Sequence, residues 1–132
     1  MESFEVRTRS RNQMVRITAQ VEAAVRALGL IEGAVLVYSP HTTAGIVVQE
    51  GADPDVARDL LMRLSELAPK DHPGYRHLEG NSDAHIKTAL VGNAQLVPVS
   101  GGRVALGTWQ QIFLVEFDGP RTRQVRVVAV GV

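Results

Sequence analysis

The sequence predicts a single α+β domain built from largely antiparallel β-sheets and about three helices. Its 132 residues match the size of one ordinary domain, so residues 1–132 are treated as a single unit. Helix-like and strand-like segments are both present, but they do not alternate strictly, as they would in a doubly wound α/β sheet. After residue 91 the pattern consists of strands alone, and successive short strands favour antiparallel pairing.

The first third of the chain predicts a strand, a helix and then two buried strands. Phe4 and Val6 alternate with charged residues, which is typical of an edge strand with one face in solvent. Thr18 is a suitable N-cap for an amphipathic helix that runs to about Leu28, and Gly29 is a suitable end. Two apolar runs, 34–38 and 45–49, then predict the buried strands.

Asp53 and Pro54 mark the start of a second helix, because an Asp side chain caps free amides and proline tolerates the first helical position. This helix is expected to end before Pro69 and to turn four residues inward: Val56, Leu60, Leu61 and Leu64. A polar loop and a third helix over 83–91 follow. The remaining strands are predicted at 95–99, 103–106, 109–117 and 125–130. The last two are expected to pair through a turn at 118–121.

Composition excludes several classes of function. With 14 Lys and Arg against 14 Asp and Glu, the formal net charge is zero, so no basic field attracts nucleic acid or an anionic membrane. The chain has no cysteine, which excludes disulfides, thiolate metal sites and cysteine nucleophiles. The N-terminus does not resemble a signal peptide, and no apolar run approaches membrane-spanning length. We therefore expect a cytoplasmic protein without nucleic-acid or membrane partners.

The most unusual segment is the polar stretch 75–87. It packs two histidines, two carboxylates and two cations together: His77 and His85, Glu79 and Asp83, Arg76 and Lys87. Ser82 is a suitable N-cap for the third helix, and Asp83 suits its first turn. Ile86, Leu90 and Val91 are expected to form the apolar face of that helix. The exposed amides at its start are suited to receive a phosphate.

This segment predicts an ion site. Residues on both sides of Gly80 can fold back so that His77 and His85 converge on one ion with the carboxylates. Imidazoles suit zinc, whereas carboxylates suit magnesium. His41 ends a buried strand, where site residues often lie, and is a further candidate. The alternatives stay open: Glu79 and Asp83 only solvate the helix start, and His41 only bonds the backbone.

Two further sets of residues are candidates for binding a substrate. Arg76 and Lys87 are suited to a phosphate, although charged side chains near a helix start are usually solvated. Thr108 and Gln110 flank Trp109, the only tryptophan, and so place polar groups beside an aromatic wall. A tight bend next to a core tryptophan is equally compatible with this second pattern.

Several motifs, in chain order, resemble the YjbQ family, which is commonly described as a secondary thiamine-phosphate synthase family. They are His41-Thr42-Thr43-Ala44-Gly45, Ala52-Asp53-Pro54-Asp55-Val56, Tyr75-Arg76-His77, Glu79-Gly80, Asp83-Ala84-His85-Ile86-Lys87 and Leu106-Gly107-Thr108-Trp109-Gln110. The resemblance covers nearly the whole chain. It implies a small α+β fold that assembles as a homotrimer, with antiparallel sheets around the threefold axis. Gly51 departs from the pattern, since asparagine is expected before Ala-Asp-Pro.

The resemblance also implies a site for a divalent metal, zinc or magnesium, or for an anion, and for a small phosphorylated metabolite. On this basis the metal ligands are His41, His77 and His85, and the catalytic residues are His85, Glu79 and Asp83. The implied substrate-binding residues are Arg76, Lys87, Ser82, Thr108, Trp109 and Gln110.

The implied reaction joins an aminopyrimidine methyl diphosphate to a thiazole phosphate and releases pyrophosphate. It requires no side-chain nucleophile, which is compatible with a chain that lacks cysteine and serine-nucleophile motifs. Two other functions remain open at this point. One is a non-catalytic trimer that binds a metal and a phosphorylated metabolite, and the other is a metal-dependent hydrolase.

Overall fold

The computed structural model describes residues 1–131, which form one α+β domain with three helices and eight strands. In chain order the elements are β1 Glu2–Arg7, β2 Gln13–Arg16, α1 Thr18–Leu28, β3 Gly33–Tyr38, β4 Ala44–Glu50, α2 Pro54–Leu67, α3 Ser82–Val91, β5 Ala94–Ser100, β6 Arg103–Val104, β7 Gln110–Glu116 and β8 Thr122–Val130. This confirms the predicted fold class. The helices among residues 1–131 fall short of the length and hydrophobicity that a bilayer-spanning segment requires.

The strands form two antiparallel sheets. The larger sheet has the order β1-β8-β3-β5-β6, and the smaller sheet has the order β2-β7-β4. β1 lies at the edge of the larger sheet, as its alternating pattern predicts. β2 was not predicted, because its four residues are too few to show a clear period.

The expected hairpin between the last two strands is wrong. β7 is the central strand of the smaller sheet, whereas β8 lies between β1 and β3 in the larger sheet. The intervening segment crosses from one sheet to the other and is held on both sides. The Phe117 amide donates to the Thr43 carbonyl at 3.1 Å, and the Thr8 amide donates to the Arg121 carbonyl at 2.8 Å. Long-range bonds of this kind outweigh the local turn signal at 118–121.

The main core lies between the two sheets and α1. Its members are valines and other apolar residues from the inner faces of both sheets, such as Val35 and Val127 in the larger sheet and Leu114 in the smaller one. On the other side of the smaller sheet, α2 and α3 cover a second cluster around Val115 and Phe117. The outer face of the larger sheet remains uncovered, since Leu96 is 62% exposed and Val130 is 40% exposed.

Two of the helix ends follow the predicted signals closely. Gly29 ends α1 in a left-handed conformation with φ of 66°. Asp53 is the N-cap of α2, and its carboxylate accepts from the Asp55 amide at 2.9 Å. Thr18, however, is the first residue of α1 and not its cap. Its hydroxyl accepts from the Ile112 amide at 2.9 Å and so ties α1 to β7.

Candidate functional site

The N-terminus of α3 has no side-chain cap. Its N-cap residue is Asn81, one position before the predicted Ser82. The Asn81 side-chain amide donates to the Asp118 carboxylate at 2.9 Å, and no hydrogen bond from the Asn81 side chain caps the helix. The Asn81 Oδ1 atom is buried and has no hydrogen-bond partner among residues 1–131. The Ala84 amide donates to the Asn81 carbonyl at 3.0 Å, so the amides of Ser82 and Asp83 are the ones left for a ligand.

His77 and His85 come together as the sequence predicts. Their ring centroids are 5.5 Å apart, and the rings stand edge to face at 87°. His77 lies in the loop before α3 and His85 in its first turn, so the loop folds back over the helix start. The Glu79 carboxylate lies 3.8 Å from His77 Nε2, and both side chains are largely in solvent.

The two histidines line an open cleft of about 510 Å³, which we call the His cleft. Its lining residues are Gly74, Tyr75, Arg76, His77, Ser82, His85 and Ile86. Tyr75 is anchored through its hydroxyl, which donates to the Pro69 carbonyl at 2.8 Å. The cleft therefore combines an arginine, two imidazoles, a hydroxyl and helix amides on an ordered loop, which is a set of groups suited to phosphate.

Asp83 is not part of this cleft, contrary to its predicted catalytic role. Its side chain is fully buried, and it accepts two hydrogen bonds of 2.9 Å from the Arg11 guanidinium and one of 3.2 Å from Lys87. Burial alone would raise the pKa of Asp83, but the hydrogen bonds from Arg11 and Lys87 outweigh it and lower that pKa to about 2. With both carboxylate oxygens bound by Arg11 and Lys87 away from the cleft, Asp83 acts as a structural anion.

Lys87 is equally engaged and is not available to a substrate phosphate. Only 1% of the residue is exposed, and its ammonium group contacts the Asn12 side-chain oxygen at 3.2 Å and the Ser65 hydroxyl at 3.3 Å, in addition to Asp83. Asn12 comes from the loop before β2 and Ser65 from α2. Lys87 therefore joins three parts of the chain beneath α3. Arg76, in contrast, is exposed and lines the cleft.

His41 lies apart from the His cleft. Its Nε2 atom accepts from the Gln124 amide at 2.9 Å, and its carbonyl accepts from the Asn93 side chain at 2.6 Å, so it extends the pairing of β3 with β8. Partial burial, with a smaller effect of the Arg123 charge, lowers the pKa of His41. These contacts agree with the alternative interpretation of His41, in which its side chain only forms a hydrogen bond with the backbone.

The predicted three-histidine metal site is consequently not assembled within one chain. Among residues 1–131 no group of three or more His, Cys, Asp or Glu side chains could hold a metal ion. His77 and His85 supply two nitrogen ligands, but Asp83 is bound by Arg11 and Lys87 and His41 by the backbone of Gln124. A single chain does not fit the four-coordinate site that zinc prefers.

Thr108, Trp109 and Gln110 form a separate surface. Gln110 is the first residue of β7. Asp118 lies just after the last residue of that strand and accepts a hydrogen bond from Asn81, so α3 starts at the opposite end of β7 from Gln110. The seven residues of β7 place these two ends about 20 Å apart. Trp109 is 64% exposed and therefore is not a core tryptophan. Of the predicted substrate-binding residues, only Arg76 and Ser82 line the His cleft, Lys87 is buried beneath α3, and Thr108, Trp109 and Gln110 lie on this separate surface.

The structure also contains a buried ion pair that the sequence did not indicate, between Glu116 and Arg123. Glu116 accepts from Arg123 Nε and from the Thr8 hydroxyl, both at 2.8 Å, and Arg123 donates to the Thr43 hydroxyl at 2.8 Å. Burial opposes ionisation of Glu116, but these donors outweigh it and lower its pKa. The pair fixes the loop that carries His41. The sequence signal that could have indicated this pair is Glu116, a carboxylate within the apolar run 112–117.

Comparison with known proteins gives consistent matches over nearly the full length. Residues 2–132 match the model of the family described as UPF0047 protein YjbQ-like. The UPF0047 protein YugU of Bacillus subtilis (strain 168) is 47% identical, and the match covers 99% of each chain.

Solved structures of related proteins are also similar to this chain. An uncharacterised conserved protein from Clostridium acetobutylicum, described as belonging to the yjbq/upf0047 family, has a TM-score of 0.95 and 45% identity, covering 98% of this chain and 100% of that one. A conserved hypothetical protein from Thermus thermophilus has a TM-score of 0.92 and 52% identity, with coverage of 98% and 100%. These similarities extend over nearly the whole chain and show the same overall fold.

Proposed function

Because the chain belongs to the YjbQ-like UPF0047 family, we propose that it is a secondary thiamine-phosphate synthase whose phosphate groups bind in the His cleft. The observation that carries this proposal is the pairing of His77 with His85, 5.5 Å apart, beside Arg76 and the uncapped start of α3. Together these groups supply a guanidinium, two imidazoles and backbone amides, which are the donors that bind phosphate.

The reaction makes two demands that these residues can meet. Diphosphate leaves the aminopyrimidine methyl group, so negative charge develops on the departing oxygens, and the thiazole nitrogen must attack the carbon in line. Arg76 and the amides of α3 bind the charge on the diphosphate. His85 and His77, which both line the cleft, donate hydrogen bonds to the same oxygens. No covalent intermediate with the protein is needed.

The role of the expected zinc or magnesium is left to experiment. Among residues 1–131 no three side chains form a group of metal ligands, so the proposed reaction relies on protein groups alone. Metal-dependent hydrolysis gains no support from the geometry for the same reason, since it needs a metal held by the protein.

Binding without turnover is the second candidate, and one observation favours it. Asp83 and Lys87 are both committed to buried ion pairing, which leaves Glu79 as the one carboxylate within the segment 75–87 that remains in solvent. A cleft with anion donors and few fixed acids is suited to hold a phosphorylated metabolite, whether or not it reacts.

The experiment that separates these functions is incubation of the purified protein with both thiamine precursors, with and without added magnesium or zinc, followed by mass spectrometry of the products. Arg76→Ala is expected to reduce thiamine-phosphate formation by about tenfold or more, because it removes a charge-assisted contact to the leaving group. Arg58→Ala is the matched control, since Arg58 is an exposed arginine on α2 outside the cleft. Phosphate binding with no product would favour the second candidate.

We further propose that the chain forms the homotrimer implied by its family. The outer face of the larger sheet supports self-association, because Leu36 pairs with Leu96 on one side and Val128 on the other to form an apolar row across three strands. An exposed apolar row of this kind is typical of a surface that contacts another chain. Light scattering should give three times the chain mass, and Leu96→Glu should lower it. Ile31→Glu, at another exposed apolar residue, is the control.

A further inference from the structure

A second ordered surface lies about 20 Å from the His cleft, beyond the start of β7. It consists of the turn 50–53 and the loop 107–110, which we call together the Trp109 surface. The Gly51 amide donates to the Trp109 carbonyl at 2.9 Å, and the Arg16 guanidinium donates to the Gly51 carbonyl. The Gln110 side chain accepts from the Gly107 amide at 2.8 Å. These bonds hold the loop in place in the absence of any ligand.

The Trp109 side chain is unusually exposed for a residue on such an ordered loop. Sixty-four per cent of Trp109 is accessible, although tryptophan gains more than most residues from being buried against a partner. The loop beside His77 has a matching feature, since Leu78 is 100% exposed. Each surface thus combines polar groups with large apolar side chains in water, Trp109 on one and Leu78 and Ile86 on the other, as protein interfaces often do.

The charges of the two surfaces are complementary. The turn 50–53 carries the carboxylates of Glu50 and Asp53, which outnumber the one neighbouring cation, Arg16. The His cleft carries Arg76, which makes no ion pair among residues 1–131, and the neighbouring carboxylate of Glu79 lies against His77. The chain as a whole has zero net charge, so a second copy meets no overall repulsion. A second copy of this chain therefore suits both surfaces electrostatically.

The relative position of the surfaces defines how two copies would meet. Because they lie at opposite ends of the smaller sheet, one chain cannot close its own cleft with its own Trp109 surface. Contact between unlike surfaces on successive copies is a heterologous interface, which closes into a ring when the rotation allows it. The proposed homotrimer is such a ring.

We infer that the functional site is shared between copies: the Trp109 surface of one copy covers the His cleft of the next. One copy supplies Arg76, His77 and His85, and its neighbour supplies Trp109 as an aromatic wall, with Thr108 and Gln110 as polar contacts to the ligand. This inference rests on the proposed function for the nature of the ligand, but the shared architecture can be tested without turnover. It explains why two sets of predicted binding residues lie apart in one chain.

A ligand-free test uses the fact that Trp109 is the only tryptophan. In the oligomer, Trp109 fluorescence should be at least severalfold less sensitive to a soluble quencher than in the unfolded chain, because the neighbouring copy covers the indole. Dilution or a variant that dissociates the oligomer should restore that sensitivity. If Trp109 in an intact oligomer is quenched as efficiently as in the unfolded protein, the shared site is ruled out.

The decisive test mixes two defective variants, Arg76→Ala and Trp109→Ala, carried on differently tagged chains and purified as mixed oligomers. Each variant alone should lose binding of pyrophosphate, the probe, by about tenfold or more. In every mixed trimer one of the three sites joins an intact cleft to an intact Trp109 surface, so about a third of the sites should recover. Ile31→Ala, also at an exposed apolar residue, is the control for Trp109→Ala and should bind normally.

The outcomes of this mixing experiment distinguish the two proposals. Recovery of pyrophosphate binding without any thiamine-phosphate formation would support the shared site and contradict the proposed synthase. Failure of the mixed oligomers to exceed the weak binding of either variant would overturn the shared site, even if the parent protein makes thiamine phosphate. The same conclusion would follow if Trp109→Ala binds pyrophosphate as tightly as the parent.

Discussion

The two faces of α3 differ in a way that reverses the usual arrangement of an amphipathic helix. The face turned inward carries Asp83 and Lys87, whose side chains are at most 2% exposed. The face turned outward carries Ile86 and Leu90, which are 40% and 59% exposed. The expectation that Ile86 and Leu90 form the buried side of this helix is therefore wrong, and Val91 alone packs against the second cluster.

The difference between the faces shows how burial is decided by partners and not by residue type alone. Arg11 and Asn12, both from the loop before β2, supply a counter-charge to Asp83 and a hydrogen-bond acceptor to Lys87. A buried charge with such partners is stable enough to be retained. The apolar residues of the other face are then left for contacts outside the chain, beside the His cleft that Ile86 helps to line.

The largest effect on stability is expected for Asp83→Ala, which removes the carboxylate of the inward face. We expect it to lower the free energy of unfolding by about 3–5 kcal/mol, because Lys87 and Arg11 would lose their counter-charge in a buried setting. Urea denaturation measures the change. Asp71→Ala is the control, since that side chain is 94% exposed and only 3.9 Å from Lys70, and its effect should stay within about 0.5 kcal/mol. If Asp83→Ala is as stable as the parent protein but no longer binds the ligand, Asp83 is a residue of the functional site.

A substitution on the outward face of α3 should reduce activity and leave stability nearly unchanged. His85→Ala is expected to reduce thiamine-phosphate formation about a hundredfold or more, because it removes a donor from the His cleft. Its effect on stability should not exceed about 1 kcal/mol, since the ring lies in the cleft and not in the core. Thermal unfolding and product analysis on the same preparation provide both values. Normal turnover by His85→Ala would remove this residue from the site.

Much of the fold followed from local sequence signals. The helix from Thr18 to Leu28, its end at Gly29 and the cap at Asp53 depend on neighbouring residues, and the structure confirms them. The alternating strands were located for the same reason. The pairing of the last two strands was missed, because sheet membership depends on bonds such as that from Phe117 to Thr43, which are distant in the sequence.

The site was predicted only in part, for a related reason. The proximity of His77 and His85 follows from a short loop that folds back over one helix turn, so the sequence spacing contains the information. The burial of Asp83 depends on Arg11, which lies 72 residues earlier in the chain. No local pattern distinguishes an acid in the first turn of a helix that faces solvent from one that faces a distant arginine.

Acidification should weaken the inward face of α3, because it protonates Asp83. Because the pKa of Asp83 is lowered from 3.8 to about 2, its ionised form stabilises the folded state fully above pH of about 4, and this stabilisation is lost as the pH falls towards 2. The loss should be roughly 2 kcal/mol at 1.36 kcal/mol per pKa unit. The measurement is the difference in unfolding free energy between the parent and Asp83→Asn at several pH values. This difference should shrink on acidification, and a constant difference would contradict the ionised pair.

The smallest effect is expected for the exposed ion pair on α2, although its two charges lie closer together than those of Lys87 and Asp83. Arg63 and Glu66 on α2 approach to 2.7 Å, closer than the 3.2 Å between Lys87 and Asp83, but their side chains are 67% and 55% exposed. Water solvates both charges whether or not they pair, so Arg63→Ala should change the free energy of unfolding by only about 0.3–0.5 kcal/mol. Urea denaturation in low and high salt measures this, and the effect should fall further as salt screens the pair. A loss comparable with that of Asp83→Ala would mean that distance, and not burial, determines the strength of these pairs.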